Sequence, residues 1–278
     1  MNGPSQGPGT AEGKLLCAVV QTVSSANLEQ NLAAAGEAIR NASSAGAKLV
    51  LLPENFAFMG QRDTDKLTLM EDPGQGPIQD FLAEQAAQYG IWLLGGSIPL
   101  RAPDGRCFAS LLVYDAQGRM QARYDKIHLF DVDLAGGESY RESATIMPGA
   151  QPVLVASPWG GIGLSICYDL RFPELYRHYA GASLLVVPSA FTVQTGRAHW
   201  ETLLRARAIE NQAFVLAADQ GGKHANGRET WGHSMIIDPW GQILALQEKG
   251  AGIALAELDL GQLSQIRTRL PALRHRRL

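Results

Sequence analysis

Six stretches of this chain are apolar along almost their whole length: LLCAVVQ (15–21), KLVLLPENF (48–56), IWLLGGSIPL (91–100), GIGLSIC (161–167), SLLVVPSAF (183–191) and AFVLAADQ (213–220). A strand with one wet face alternates apolar and polar residues, so runs like these belong in sheets covered on both sides. Helix-spaced segments lie between them. Leu28, Leu32, Ala35 and Ile39 share a face behind Asn27 as N-cap, with Gly46 near the end. Pro77 opens a second helix, with Ile78, Phe81, Leu82 and Gln85 on one face and Gly90 as its stop. FPELYRHYAGA (172–182) reads as a short helix, and HWETLLRARAIENQ (199–212) as a longer one through Trp200, Leu203, Leu204 and Ile209. Strand–helix alternation implies crossovers between parallel strands. FASLLVYDAQGRMQARYDK (108–126), turning at Asp115 to Gly118, is instead a hairpin, and a second hairpin-like segment ends at Trp159-Gly160. HSMIIDPWG, QILALQ and GIALAELDL add strands near the C-terminus. The expected fold is α/β with mixed sheets.

No Pro/Gly/Ser linker and no alignable repeat divides the chain, so residues 15–278 read as one domain. Residues 1–14, rich in Gly, Pro, Ser and Gln, read as a flexible extension without the apolar stretch of a signal peptide. Apolar residues make up 46% of the chain and charged ones 18%, which supplies a sizeable core. A net charge of −3 gives no whole-protein pull toward nucleic acid or anionic membrane, and no run is long enough to span a bilayer. The three cysteines, Cys17, Cys107 and Cys167, are far apart and lack a CxxC, which points to reduced, cytoplasmic thiols rather than a disulfide framework. Cys17 and Cys107 lie in apolar strand contexts and read as packing thiols.

Polar groups just past buried strands are where α/β folds keep their chemistry. Four stand out. KLVLLPE delivers Glu54, ARYDK delivers Lys126, GIGLSIC delivers Cys167, and SYRESAT carries Glu142 in a stretch without periodicity. A thiol with an ordinary pKa near 8.5 is mostly protonated at neutral pH and needs a base or a cation beside it. A carboxylate held out of water can take that proton. A lysine ammonium can steady an oxyanion, the backbone N–H of Tyr168 can add a second donor, and Glu142 can hold Lys126 charged. Such a set attacks an unactivated carbonyl such as an amide. Each residue also has a plain structural use: Glu54 as a cap or salt-bridge partner, Lys126 as a solvated lysine, Cys167 as a packing thiol.

The blocks LPENF, YDKIHLFDVD and GLSICYDLRFPEL, in that order, resemble the three signature stretches of the nitrilase superfamily of carbon–nitrogen hydrolases. The resemblance runs from about Leu15 to Arg277. It implies a four-layer α-β-β-α sandwich and homodimers or larger assemblies. It also implies a thioester mechanism, with Cys167 as nucleophile, Glu54 as general base and acid, and Lys126 on the tetrahedral oxyanion. Glu142 matches the family's second glutamate. Cys167-Tyr168-Asp169, where nitrilases proper carry Cys-Trp-Glu, argues for an amidase. PSAFTVQTGRAHWETLLRARAIENQ, GHSMIIDPWG and the terminal LPALRHRR resemble the amidases that repair oxo-acid amides. The main expectation is hydrolysis of deaminated glutathione to 2-oxoglutarate and cysteinylglycine. The alternatives are omega-amidase action on 2-oxoglutaramate or 2-oxosuccinamate, another small-amide or N-carbamoyl hydrolase, acyl transfer to an amine, and a binding scaffold without activity.

Such substrates end in a 2-oxo carboxylate, for which a bidentate guanidinium is suited. Arg171 is the candidate, or else it pairs with Glu174 or Asp169 as structure. Tyr168, Phe191, Thr192 and Thr195 are expected to border the same pocket. Arg197 stands where the related amidases usually carry proline, an extra cation for a longer anionic substrate or a solvated one. His128, His199 and His233 show no metal-ligand spacing, so neither a metal nor a cofactor is called for. The basic tail, with Leu270, Pro271 and Leu273, reads as packing on a dimer neighbour rather than on nucleic acid.

Overall fold

The computed structural model describes residues 13–277 except 135, 136 and 138. The first half runs β1 (Lys14–Gln21), α1 (Leu28–Ser44), β2 (Leu49–Leu51), α2 (Pro77–Tyr89), β3 (Trp92–Leu94), β4 (Ile98–Arg101), β5 (Cys107–Tyr114) and β6 (Met120–Asp125). A small hairpin follows, β7 (Asp131–Asp133) and β8 (Ser139–Arg141), then β9 (Leu154–Ser157), β10 (Gly160–Leu164), α3 (Pro173–Arg177), β11 (Leu184–Ser189), α4 (Val193–Asn211) and β12 (Phe214–Asp219). A second small hairpin, β13 (Gly221–Lys223) and β14 (Glu229–Trp231), leads to β15 (Ser234–Ile237), β16 (Ile243–Gln247), β17 (Gly252–Asp259) and α5 (Gly261–Arg269).

Two mixed sheets result. One is ordered β17-β1-β2-β3-β5-β4 with β6 on β5, the other β16-β15-β12-β11-β10-β9. Each holds three adjacent parallel strands, β1-β2-β3 and β10-β11-β12, flanked by antiparallel neighbours. The two-residue period of a strand assigns the layers. Cys17, Val19, Leu49 and Leu51 face the second sheet, in a core shared with Leu164, Leu216 and Met235. Their neighbours Ala18, Val20, Val50 and Leu52 face away, onto Ala35 and Ile39 of α1 and Ile78 and Leu82 of α2. On the far side Trp200, Leu204 and Ala208 of α4 cover the second sheet. Helices, sheet, sheet and helices stack as the expected α-β-β-α order, and each fully buried Leu, Ile or Val contributes roughly 1.5–3 kcal/mol over exposure.

Local signals held at the helices. Asn27 caps α1 by accepting the Gln30 N–H at 3.0 Å, and Gly90 ends α2 in the left-handed conformation, φ 60°. Several strands are shorter than their apolar runs. Residues 48–56 are strand only at Leu49–Leu51, after which the chain turns through Asn55 at φ 58°. IWLLGGSIPL is two strands broken at Gly95-Gly96: Gly96 has φ 58°, and a Cβ there would collide with the Pro53 carbonyl. β10 stops at Leu164, short of Cys167, and α4 begins at Val193, ahead of the His199 expected to open it. At the other end β1 starts at Lys14, bonded in register with Asp259; the rest of the expected flexible extension, residues 1–12, lies outside the described residues. Among the described residues no helix is long and apolar enough to cross a membrane.

Candidate active site

β2, β10 and β11 all run out at one cavity of about 590 Å³, the usual place for a site in an α/β sheet. Glu54 follows β2 on a turn held from two sides: the Ser97 hydroxyl accepts the Asn55 N–H at 3.1 Å, and Gln220 Nε2 donates to the Glu54 carbonyl at 3.0 Å. Cys167 follows β10 at the start of a 3-10 turn, Cys167–Arg171, with φ 51°. A non-glycine residue in that region is strained, and strain of this kind collects where a side chain must be aimed. Asp169, fully buried, holds the turn closed: one oxygen accepts the Ile166 N–H (2.9 Å) and the Tyr124 hydroxyl (2.7 Å). Its other oxygen accepts the His128 backbone N–H at 3.0 Å and meets His128 Nδ1 at 2.7 Å. One carboxylate therefore ties the cysteine's turn to the segment that leaves Lys126. Glu142 is not in irregular loop; it starts a short 3-10 helix, Glu142–Ala144, directly after β8.

The four candidates meet. Lys126, 1% exposed, donates to Glu54 Oε1 at 2.9 Å and to Glu142 Oε1 at 2.8 Å. An ammonium has three N–H groups, so one remains for a substrate oxygen. Glu142 Oε2 accepts the Phe130 N–H at 2.6 Å. Burial by itself lowers a lysine pKa, but the Glu142 and Glu54 carboxylates outweigh it and hold Lys126 charged well above its ordinary value. Burial likewise presses Glu142 upward, and the Lys126 charge and hydrogen bond overcome it, leaving Glu142 below the usual carboxylate range. Cys167 goes the other way: burial and then the Glu54 charge push its thiol well up, with Lys126 and the Ala190 N–H opposing. These influences favour the thiol form, and Glu54 lines the same cavity. Cys17 and Cys107 are fully buried; burial drives Cys17 far up and Cys107 to about 11, which suits inert packing.

Tyr168, Arg171, Phe191, Thr192 and Thr195 all line the cavity. Thr192 is spent on structure as the N-cap of α4, its hydroxyl 2.9 Å from that of Thr195. Arg171 forms no ion pair with Asp169 or Glu174; its Nη1 lies 3.2 Å from His199 Nδ1, and its guanidinium sits over the Tyr168 and Phe191 rings at 5.7 and 5.6 Å. Arg197 is exposed and does not reach the wall. Asn55, Lys66, Tyr140, Arg141 and Arg228 also line the cavity and were not anticipated. Asn55 directly follows Glu54 in LPENF, so its position was signalled by that block. Arg228 had no such signal, because KHANGRETW lacks any period and reaches the site only through the β13–β14 pairing.

A family model described as carbon-nitrogen hydrolase matches residues 16–268, which contain Glu54, Lys126, Glu142 and Cys167. The chain is 45% identical over 267 residues to a Deaminated glutathione amidase of Synechocystis sp., covering 94% of this chain and 97% of that protein. A Homo sapiens protein of the same name is 42% identical over 271 residues, covering 94% and 82%. The crystal structure of Saccharomyces cerevisiae Nit3, described as a member of branch 10 of the nitrilase superfamily, superposes with a TM-score of 0.87 at 30% identity, covering 98% of this chain and 100% of that one. This chain belongs to the carbon–nitrogen hydrolase family. It is an amide-hydrolysing enzyme, and its cavity holds a thiol, an ammonium and two carboxylates. Among the described residues no group of three or more His, Cys, Asp or Glu side chains is placed to hold a metal.

Proposed function

We propose that this carbon–nitrogen hydrolase cleaves an amide through a thioester on Cys167, and that its substrate is deaminated glutathione. Cys167 Sγ attacks the amide carbon while Glu54, whose Oε1 is committed to Lys126, takes the thiol proton. The free N–H of Lys126 and the first-turn N–H of Tyr168, which has no intrahelical acceptor, receive the oxyanion. The C–N bond breaks as Glu54 returns the proton to the leaving amine. Water then attacks the thioester, Glu54 takes its proton, the S–C bond breaks and the thiol is restored. Glu142 holds the ammonium in place throughout.

The observation that carries the reading is a buried ammonium bridging two carboxylates beside a strained cysteine, under a mouth where Arg171 and Arg228 have no carboxylate partner among the described residues. Arg171 is placed for the 2-oxo carboxylate, with Tyr168, Phe191, Thr192 and Thr195 shaping the acyl pocket. The names of the similar proteins point to the same substrate. Three unpaired cysteines fit a reducing, cytoplasmic setting. A homodimer or larger assembly is part of the proposal, supported by exposed Trp240, whose chain neighbour Gly241 packs on exposed Ile209 of α4; sedimentation as a monomer would remove it. The test is kcat/KM on deaminated glutathione and on 2-oxoglutaramate, with Cys167→Ala as the blank. The proposal expects the tripeptide to be preferred by about a hundredfold, the scale of one or two charged hydrogen bonds. Preference for the small amide makes the enzyme an omega-amidase.

A further inference from the structure

Beyond the reactive centre the cavity continues into a polar groove of about 940 Å³, and the two share Tyr140, Thr192 and Arg228. Arg228 stands at the junction, just before β14. Its Nη2 donates to the Ala190 carbonyl at 3.0 Å, and its guanidinium lies over the Tyr140 ring at 5.3 Å. Its Nε is buried and has no acceptor among the described residues, and no carboxylate there pairs with the group. A guanidinium held by a carbonyl and a ring, with a buried donor unused, is prepared for a ligand oxyanion. Glu229, exposed, lines the same groove next to Arg228 in sequence.

Resting on the proposed reading, we infer that this groove is the leaving-amine subsite and that Arg228 binds the carboxylate at the far end of the amine. The acyl side is short and ends at Arg171. The amine side of deaminated glutathione is a dipeptide, which when extended spans about 7 Å from the scissile nitrogen to its terminal carboxylate. The substrate would thus be an amide with an anion at each end, one for each unpaired guanidinium. An amide that releases ammonia has nothing to give Arg228.

The experiment compares deaminated glutathione, its C-terminal amide and 2-oxoglutaramate on the wild type, Arg228→Lys and Arg228→Ala. Blocking the terminal carboxylate should lower wild-type kcat/KM by about tenfold or more, chiefly through KM. In Arg228→Ala the same block should matter by less than about threefold, with Arg228→Lys between the two, since a lysine keeps the charge without the fork. Because the block alters substrate and not protein, a variant that folds poorly does not rescue the idea. A wild type indifferent to the block overturns the inference, as does an Arg228→Ala enzyme that suffers the full penalty. A wild type that hydrolyses 2-oxoglutaramate but neither tripeptide overturns the proposed substrate as well, an outcome distinguishable by its small-amide activity.

Discussion

At the floor of the cavity Lys126 is 1% exposed and divides its ammonium between two carboxylates, whereas at the mouth Arg171 and Arg228 meet a histidine, a carbonyl and aromatic faces. The floor is satisfied before substrate arrives; the mouth is not. A buried charge without a partner is destabilising, so this cluster must be assembled by the fold itself. Guanidiniums near solvent can wait unpaired, and on the proposed reading the substrate's carboxylates are what they wait for. One site thus carries two kinds of charge: one that completes the protein and, on the proposed reading, one that the ligand completes.

Changes at the floor should have the largest effects. Cys167→Ala should abolish hydrolysis, and Glu54→Gln should lower kcat by about a thousandfold or more, because nucleophile and proton shuttle are both needed. Lys126→Ala should end acylation and also leave Glu54 and Glu142 buried without their cation. Its cost of about 3–5 kcal/mol should appear as a fall of roughly 10 °C in Tm. An active or fully stable Lys126→Ala enzyme would break the comparison at its base.

The thiol offers a sharper sign. Burial and Glu54 both raise its pKa and Lys126 opposes them, so removing the Glu54 charge should lower the pH at which Cys167 is alkylated, while Lys126→Gln should raise it. Glu142 supplies the stability counterpart. Its folded pKa lies below its ordinary value of 4.5, so its contribution is present above that pH and disappears as pH falls through the depressed value. Denaturant titrations of wild type and Glu142→Gln should therefore differ most near neutrality and converge in acid.

At the mouth the effects are smaller and sit in KM. Arg171→Ala should raise KM for 2-oxo acid amides by about 10–100-fold, the range of a charged hydrogen bond at a partly exposed group, with kcat changed less. Added salt should raise KM and spare kcat, because screening reaches the mouth and not the buried ammonium. Arg197→Ala, on an exposed position off the cavity wall, should change kcat/KM by less than about threefold, since it removes the charge and leaves α4 intact.

The floor was legible in sequence because Glu54, Lys126 and Cys167 each close a short, distinctive block. The layers were legible because Cys17 and Val19, against Ala18 and Val20, are apolar on alternate faces and so demand cover on both. Strand ends were less so. Apolarity runs on past Leu51 and Leu164 into turns, and only the pairing partners, Leu94 beside β2 and Val186 beside β10, set where each ladder stops. Arg228 was beyond reach, since its position depends on Thr230 bridging to Thr192 and on β14 pairing with β13, contacts far apart in sequence or without a local pattern. Arg171 lines the cavity and pairs with neither Asp169 nor Glu174, the structural alternative for it; Asp169 is instead consumed in binding Ile166, Tyr124 and His128.

The most direct test of the account is intact-mass analysis of acid-quenched enzyme during turnover of deaminated glutathione, followed by peptide mapping. The account predicts a mass increase equal to the 2-oxoglutaryl group, mapped to Cys167 in the wild type and missing in Lys126→Ala. An acyl group on Cys17 or Cys107, or an adduct on Cys167 that accumulates normally without the lysine, would contradict it.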